Sequence, residues 1–476
     1  MLGRVVVLCG ALASAATVWA GGFTIPIMGA RMAGQAAFIA DPDDATAVYH
    51  NPAGLALVPG LRIDAAASLI FTNTSFTRVD YPQVGRSGDF DTSRPPAGAC
   101  PAEGAATGYD ADGFVLSPCR RPAVGPKSGF GALPFAAVTY NPAWHGLSFG
   151  LGVYSPHNAT AAFPRDGAQR YIVTEGAITT LYVSPAVAWQ PHPALVVAGG
   201  PSIVRASARY ERAIWLPPDL RRLNPGEIWA NLDGSSWTAA WQAGLLFHPG
   251  ELTPRLRGLS LGVSYVSRVP LDFGGQVQVM GASQQVGQTL QPGYAPGQTI
   301  LRRATARLNL PDMLRAGVGY SFGRRAWIGA DVYWSHYSLF DALTITLADP
   351  LGPIAEFKEE KHSTDSWSFA AGGRVTLRGQ LDLRAGFFFD QSPYPDAYYT
   401  TLSPDATKLG ESVGGSWRLG AGLELALAYM TLFYADRRIT NSRERPEFGS
   451  LAPFSANGEV LGKIVHLLAV QIGWTR

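Results

Sequence analysis

The stretch Gln380-Leu381-Asp382-Leu383-Arg384-Ala385-Gly386-Phe387-Phe388-Phe389-Asp390 alternates with a period of two. Leu381, Leu383, Ala385, Phe387 and Phe389 fall on one face, and Asp382, Arg384, Gly386, Phe388 and Asp390 on the other. That period belongs to an extended strand, because successive side chains of a pleated chain point to opposite sides. A tilted strand of about ten residues is long enough to cross a bilayer. An Arg turned toward hydrocarbon at mid-depth costs about 2–4 kcal/mol, so the apolar face must look out to lipid and the charged face into a lumen. The same rule sets Leu308, Leu310, Leu314, Ala316 and Val318 toward lipid, opposite Asn309, Arg315 and Gly317. It sends Arg268, Arg315, Asp331, Arg374, Asp382, Arg384, Arg418 and Glu424 into the lumen. Near the C-terminus Ile464, Leu468, Val470, Ile472 and Trp474 share a lipid-facing parity, interrupted by His466.

From Leu61 onward such segments repeat, joined by short turns such as Asn141 to Gly146, Gly323-Arg324-Arg325 and Arg378-Gly379. These turns alternate with long connections such as Val79 to Gly129, Ala213 to Ser235, Gly281 to Arg302 and Asp349 to Ser363. The pattern predicts an all-β fold, a transmembrane antiparallel β-barrel of about 14 strands over residues 61–476, with the long loops outside the cell. Residues 1–20 have the parts of a secretory signal peptide: Arg4, the apolar run Val5 to Ala16, and Val18-Trp19-Ala20 as a cleavage site. Residues 21–60 then read as a small N-terminal hatch, or plug, inside the lumen. The expected location is a bacterial outer membrane.

Composition agrees with a membrane wall. Hydrophobic residues make up 47% of the 476 and charged ones 16%, against about a quarter charged in an ordinary soluble chain. A net charge of +2 without a basic patch gives no reason to expect nucleic acid. Cys9 leaves with the leader, so Cys100 and Cys119 remain, in a Pro/Gly/Ala-rich stretch. In an oxidising compartment one disulfide is favoured over two free thiols. No His or Asp cluster flanks them to suggest a metal, and no cofactor site is read.

Several motifs, in order, carry a resemblance. They begin with Gly21-Gly22-Phe23, Ala40-Asp41-Pro42-Asp43-Asp44-Ala45 and Asn51-Pro52-Ala53-Gly54, and continue with Phe149-Gly150-Leu151-Gly152-Val153-Tyr154-Ser155-Pro156. Ser267-Arg268-Val269, Asn309-Leu310-Pro311, Leu383-Arg384-Ala385-Gly386 and Asp390-Gln391-Ser392-Pro393 complete the set. The chain resembles the FadL/TodX family of outer-membrane transporters for long-chain fatty acids and aromatic hydrocarbons. The resemblance implies a hatch-closed barrel that catches ligand among its extracellular loops, passes it to a tighter internal site and releases it sideways at an inward kink of the third strand. It also implies passive, ligand-gated uptake of a hydrophobic small molecule by a monomer. Lipid bilayer, outer-leaflet lipopolysaccharide and the barrel-assembly machinery would be its surroundings.

The same resemblance nominates site residues, each with a plainer alternative. Phe23 would contact ligand or lie on an exposed terminus. Asn51, Pro52 and Ala53 would latch the hatch or form an ordinary turn, since Pro52 removes a donor and biases Asn51 away from helix. Tyr154, Ser155, Pro156, His157 and Asn158 would frame a lateral opening or simply end a strand, Pro being confined to edges, bulges and ends. Ile214, Trp215, Leu216, Ile228 and Trp229, apolar residues on a loop, would capture ligand or pack together. Arg268, Arg315, Arg374, Arg384 and Arg418 would meet a carboxylate headgroup or form a balanced lumen network. Gly146-Leu147-Ser148-Phe149-Gly150 and Gly258-Leu259-Ser260-Leu261-Gly262 match an esterase string, but each opens a strand directly after a turn, where a nucleophile elbow needs strand, turn and helix. No enzyme is expected; an outer-membrane lipase or esterase and a general diffusion porin are the alternatives.

Overall fold

Alternating segments of this kind bury their backbone hydrogen bonds only by pairing with neighbours, and in lipid the sheet has to close on itself. The computed structural model does so. It describes residues 27–84, 89–102, 107–110, 113–216, 218–352, 354–401, 404–443 and 456–476. The leader (1–20) and Phe23 lie outside the described residues.

Fourteen antiparallel strands follow one another around the barrel. They are β1 (Gly60–Thr72), β2 (Phe130–Trp144), β3 (Leu147–Tyr154, then Asn158–Ala162), β4 (Glu175–His192), β5 (Leu195–Ile214), β6 (Ile228–Phe247) and β7 (Leu259–Val266, then Val269–Met280). Next come β8 (Ile300–Leu310, then Met313–Phe322), β9 (Ala326–Ser335, then Ala342–Leu351), β10 (Ile354–Glu360, then Ser366–Leu377), β11 (Leu381–Asp390), β12 (Lys408–Gly420), β13 (Leu423–Tyr434) and β14 (Ile464–Thr475). Closure is made by β1 against β14, from Arg62↔Thr475 to Thr72↔Val465. Among the described residues no helix is long and apolar enough to cross a membrane.

The lipid face follows the alternation in most strands. In β11, Leu383 and Phe387 are exposed while Asp382, Arg384 and Phe388 are buried. In β14, Leu468, Ile472 and Trp474 are exposed, and outward His466 lies 2.7 Å from the Tyr429 hydroxyl. Trp189 and Trp237 stand at opposite ends of the lipid-facing rows of β4 and β6, as aromatic girdles do.

Two expectations fail at a shared cause. Leu308 and Leu310 are buried inside the barrel, whereas Leu314 and Val318 of the same strand face lipid. Arg268 is exposed rather than in the lumen. Between Gln242↔Val266 and Ser235↔Gly274, six residues of β6 (236–241) face seven of β7 (267–273). One extra residue is a β-bulge, and it turns every later side chain of β7 to the other face. The β8 chain breaks at Pro311-Asp312 directly opposite, two residues against two, so both strands flip together. Arg268 sits in the bulge itself. The expected long connections also shrink: β5 and β6 run to Ile214 and Ile228, and β9 and β10 meet at Gly352, so the wall continues above the lipid as strands.

Inside the barrel, residues 27–58 are almost wholly buried. They contain α1 (Ala30–Gln35), α2 (Ala47–His50) and a 3-10 turn, Pro52–Leu57. The segment comes close enough that its backbone touches the wall. The Gln35 carbonyl lies against Gly372 and Gly386, where a Cβ would overlap it. Outside, the short strands Thr77–Asp80, Cys119–Arg120, Arg437–Ile439 and Gly458–Val460 form a small cap sheet. Cys100 and Cys119 are joined as a disulfide.

Candidate functional site

The lumen has three parts: an ionic floor that holds the hatch, a broken seam in the wall, and an apolar upper chamber.

Burying the polar backbone of short helices requires partners for their ends. The wall supplies them. Asp331 of β9 accepts from Phe38 N (2.5 Å) and Ile39 N (3.1 Å). Arg315 of β8 donates from Nη1 to the carbonyls of Tyr49 (2.8 Å) and His50 (3.3 Å), satisfying the C-terminal end of α2, and its guanidinium lies 4.5 Å over the Tyr49 ring. Gln471 accepts from Ala30 N and donates to Asp44, both at 2.9 Å. Arg31 bridges Asp43 (2.5 Å) and Glu424 (3.2 Å), which also meets Arg62 at 3.3 Å.

Of the five predicted lumen arginines, Arg268 lies outside, and Arg315, Arg374, Arg384 and Arg418 are committed to this network. Arg374 pairs with Asp41 (2.6 Å) and Asp43 (3.1 Å). Arg384 pairs with Asp382 (3.2 Å) and Ser416 (2.8 Å), and half-exposed Arg418 reaches the same Asp382 at 3.0 Å. Asn51 donates to the carbonyls of Ile39 (3.0 Å) and Leu245 (3.1 Å), so Asn51, Pro52 and Ala53 rest on β6 at Gly244. The kinked strand is met instead by Val48, Tyr49 and Leu55, three residues that sequence reading passed over.

At the third strand the ladder changes. Between Tyr154↔Tyr182 and Asn158↔Thr179, three residues of β3 (155–157) face two of β4. The bulge is pinned to β4, with Thr180 Oγ1 donating to the His157 carbonyl (2.8 Å), Ser155 Oγ donating to the Thr180 carbonyl, and the Tyr182 hydroxyl 2.9 Å from His157 Nδ1. Ser155, Pro156, His157 and Asn158 are buried. On the other flank, β2 pairs with β3 only as far as Phe135↔Tyr154, while Phe130 to Pro134 pair with β1 alone. Above the seam Lys127 N donates to the Ala162 carbonyl at 2.7 Å. Below it Phe135, Tyr154 and Tyr182 stack at centroid spacings of 5.7 Å, and Tyr49 of the hatch sits edge-on to Tyr154 at 5.1 Å. The seam is therefore bounded above and below and backed by the hatch.

The flipped halves of β7 and β8 give the upper chamber its lining. Ile178, Tyr210, Leu232, Phe273, Ala306, Leu308 and Leu343 surround an apolar cavity of about 40 Å³. The loop residues named from sequence belong to its upper walls. Leu216 and Ile228 are buried against Val277, Val279 and Ile300, with Ile214 alongside, and Trp215 packs with Tyr171, Ala213 and Trp229. Across the barrel, Lys408 is neutralised by Asp390 (2.7 Å) and Asp405 (2.8 Å). Lys463, 3% exposed, donates to the Pro404 carbonyl (2.7 Å) and lies 3.9 Å over the Tyr434 ring, with no carboxylate at ion-pair distance among the described residues. Burial pushes its ammonium down to about 7.

The family model for outer membrane protein transport proteins (OMPP1/FadL/TodX) matches residues 6–471. The chain belongs to that family. Solved structures agree on the fold of this FadL/TodX-family protein. A Pseudomonas aeruginosa FadL homologue superposes with a TM-score of 0.74 at 18% identity, covering 95% of this chain and 99% of that one. The Pseudomonas putida toluene transporter TodX gives 0.62 at 13% identity, covering 96% and 100%. By sequence, a protein of Neisseria meningitidis serogroup B named as an outer membrane protein is 22% identical over 97% of each chain. The long-chain fatty acid transport protein of Escherichia coli K12 is 27% identical over 42% of this chain, and the match spans 43% of that protein's length. The FadL/TodX-family barrel is thus an outer-membrane transporter of hydrophobic compounds by membership, with transport rather than catalysis as the family's work.

Proposed function

We propose that this protein takes up long-chain fatty acids or related apolar carboxylates by passive, ligand-gated diffusion and releases them sideways into the membrane. The observation that carries the reading is the seam between β2 and β3, where Phe130 to Pro134 lose their pairing to β3 just above the point where Tyr49 of the hatch meets Tyr154. A ligand leaving there stays out of water, and each methylene kept buried is worth about 0.8 kcal/mol. The chamber lined by Phe273 and Leu308, about 40 Å³ in its closed form, would widen to hold the chain before release. Loop residues Trp215, Leu216 and Trp229 would admit it by parting, and Phe23 together with Asn51-Pro52-Ala53 would move with the hatch. Lys463, lacking a carboxylate of its own, supports an acid headgroup over a bare hydrocarbon. Monomeric assembly through the barrel-assembly machinery, after cleavage of the leader, belongs to the same reading, as does a lipopolysaccharide-containing outer leaflet around the barrel.

The test is uptake of labelled oleate and labelled toluene by cells that have this protein as their sole such transporter. Deleting Pro156 removes the bulge and lets β3 re-register against β2. Oleate uptake is expected to fall at least tenfold while the assembled barrel keeps its heat-dependent gel mobility. Undiminished uptake would sink lateral release. Lys463→Met should lower oleate uptake and spare toluene; equal loss of both removes the headgroup role.

A further inference from the structure

The outer face of the wall carries a site of its own. Along β4, β5 and β6 the outward residues are apolar up to Leu181, Ile203 and Trp237, and polar immediately above. Trp237 is 69% exposed, and Arg205 lies over its ring at 5.5 Å, which marks the upper edge of the lipid. The next outward rows across β4 to β8 are Thr179, Ser207, Ser235, Gly274 and Thr305, then Ala177, Arg209, Asp233, Gln276 and Arg303. They lie on the side away from the chamber, because the alternation along β5 and β6 is unbroken from the lipid belt upward.

Small residues in these rows leave a hollow of about 510 Å³ lined by Glu175, Ser207, Arg209, Asp233, Gln276 and Gln278, with Gly274 in its floor. Its polar groups are held in place. Arg209 is fixed by Asp233 (2.8 Å) and Glu175 (3.3 Å), and the hydroxyls of Thr179 and Ser207 are 2.6 Å apart. Arg307 pairs with Asp272 at 2.9 Å. Arg205 and Arg303 are exposed and have no ion pair or hydrogen bond among the described residues. Two guanidinium groups without a carboxylate partner thus flank the hollow, Arg205 on β5 in the row of Leu181 and Trp237 and Arg303 on β8 two rows higher. The charges inside it, Arg209, Glu175 and Asp233, are paired with one another.

We infer that this hollow docks a phosphorylated saccharide lipid of the outer leaflet, with lipopolysaccharide as the occupant. Its sugar fills the space over Gly274, one phosphate is taken by Arg205 and another by Arg303 on the far flank, and its acyl chains run down past Leu181, Ile203 and Trp241. Guanidinium groups bind phosphate through paired, charge-assisted hydrogen bonds, and hydroxyl and amide side chains suit a sugar. The inference rests on the outer-membrane location and is independent of the uptake reading.

The test uses the full-length barrel extracted in mild detergent, with native mass spectrometry counting retained lipopolysaccharide. Wild type is expected to retain it. Arg205→Ser with Arg303→Ser should lower retention at least fivefold, whereas Arg257→Ala, an exposed arginine on the opposite side of the membrane, should not. Gly274→Trp fills the hollow, since a Cβ there meets no atom within 4 Å, and should lower retention in a barrel whose arginines are intact. Dephosphorylated lipopolysaccharide should bind at least tenfold more weakly. Equal retention by both variants, equal binding of the dephosphorylated lipid, or full displacement by millimolar inorganic phosphate alone would each overturn the proposal.

Discussion

Strands β3 and β7 each contain one extra residue, and each bulge interrupts the pairing on one flank, but the strands beside them answer differently. At β7 the neighbour bends at the same level: Ser267-Arg268 faces Pro311-Asp312, the ladder resumes in register, and Asp312 is held from both sides by Tyr265 (3.0 Å) and His336 (3.0 Å). At β3 the neighbour β2 runs straight on with β1, and the pairing ends at Tyr154. On β7's other flank Ser236 to Trp241 have no ladder partner in β7, and Trp241 and Ser267 clamp the lower edge of that gap with two hydrogen bonds of 2.9 Å. The two bulges thus differ in which flank stays paired and in that only β3's gap is backed by Tyr49 of the hatch. The sequences on the far side of each bulge fit these outcomes. Beyond β7's bulge stand Leu271, Phe273, Val277 and Val279, whose burial depends on the flip. Beyond β3's stand Asn158-Ala159-Thr160-Ala161, small enough to face either way.

This contrast is breakable. Deleting Ser267 should have the largest effect, because Phe273 and Val277 would turn to water and Asp272 and Gln276 into the chamber. No assembled barrel is expected, seen as loss of the heat-dependent gel shift, whereas deletion of Pro156 should leave assembly intact and impair uptake. If both deletions assemble equally, the distinction falls. Placing charge in the chamber comes next: Leu308→Asp should cut oleate uptake about tenfold or more, given the cost of burying an unpaired carboxylate, and Asn309→Asp, one residue along and facing out, should not. Equal effects would mean that β8 is not flipped.

The hatch side of the comparison is sharpened by Arg315→Met. It leaves the Tyr49 and His50 carbonyls without their charged donor, a loss of about 2–3 kcal/mol. Planar-bilayer recordings should then show steady conductance where the parent is nearly silent; a silent variant would mean that Arg315 does not hold the hatch against the seam. The smallest effect belongs to the cap above the seam. Burial alone would raise the Asp80 carboxyl, but Arg78 and Arg121 outweigh it and hold the group below the usual carboxylate range. The folded value being the lower one, this contribution is complete above an unfolded pKa of about 3.9 and is lost as pH falls through the folded value. Proteolysis of the cap should therefore be unchanged from neutral pH to about 5 and accelerate in stronger acid, and Asp80→Asn should be accelerated near neutral pH and converge on the wild type in strong acid.

Much of the molecule was legible in one dimension. Period-two alternation marked β11 and β14 with their correct lipid faces, turn spacing gave the barrel and its long-loop side, and the paired cysteines were identifiable from composition and context. The ordered motifs carried the family. Less was legible in the site. The lumen direction of Arg315, Arg374 and Arg384 followed from the expense of charge in hydrocarbon, but their partners Tyr49, Asp41, Asp43 and Ser416 lie far away in sequence or on another strand. Trp215 and Ile228 read as exposed loop residues because nothing local reports that β5 and β6 continue above the lipid.

The sequence by itself therefore determined the class of structure, because the side-chain period of a strand and the penalty for charge in lipid are local and repeat in every segment. Tertiary structure alone decided which face Leu308 and Arg268 occupy, where the hatch latches and where the wall is unpaired. Each of these depends on register, and register is a relation between two strands: a single added residue inverts one face of the wall, and each neighbouring strand settles whether pairing continues on its own flank.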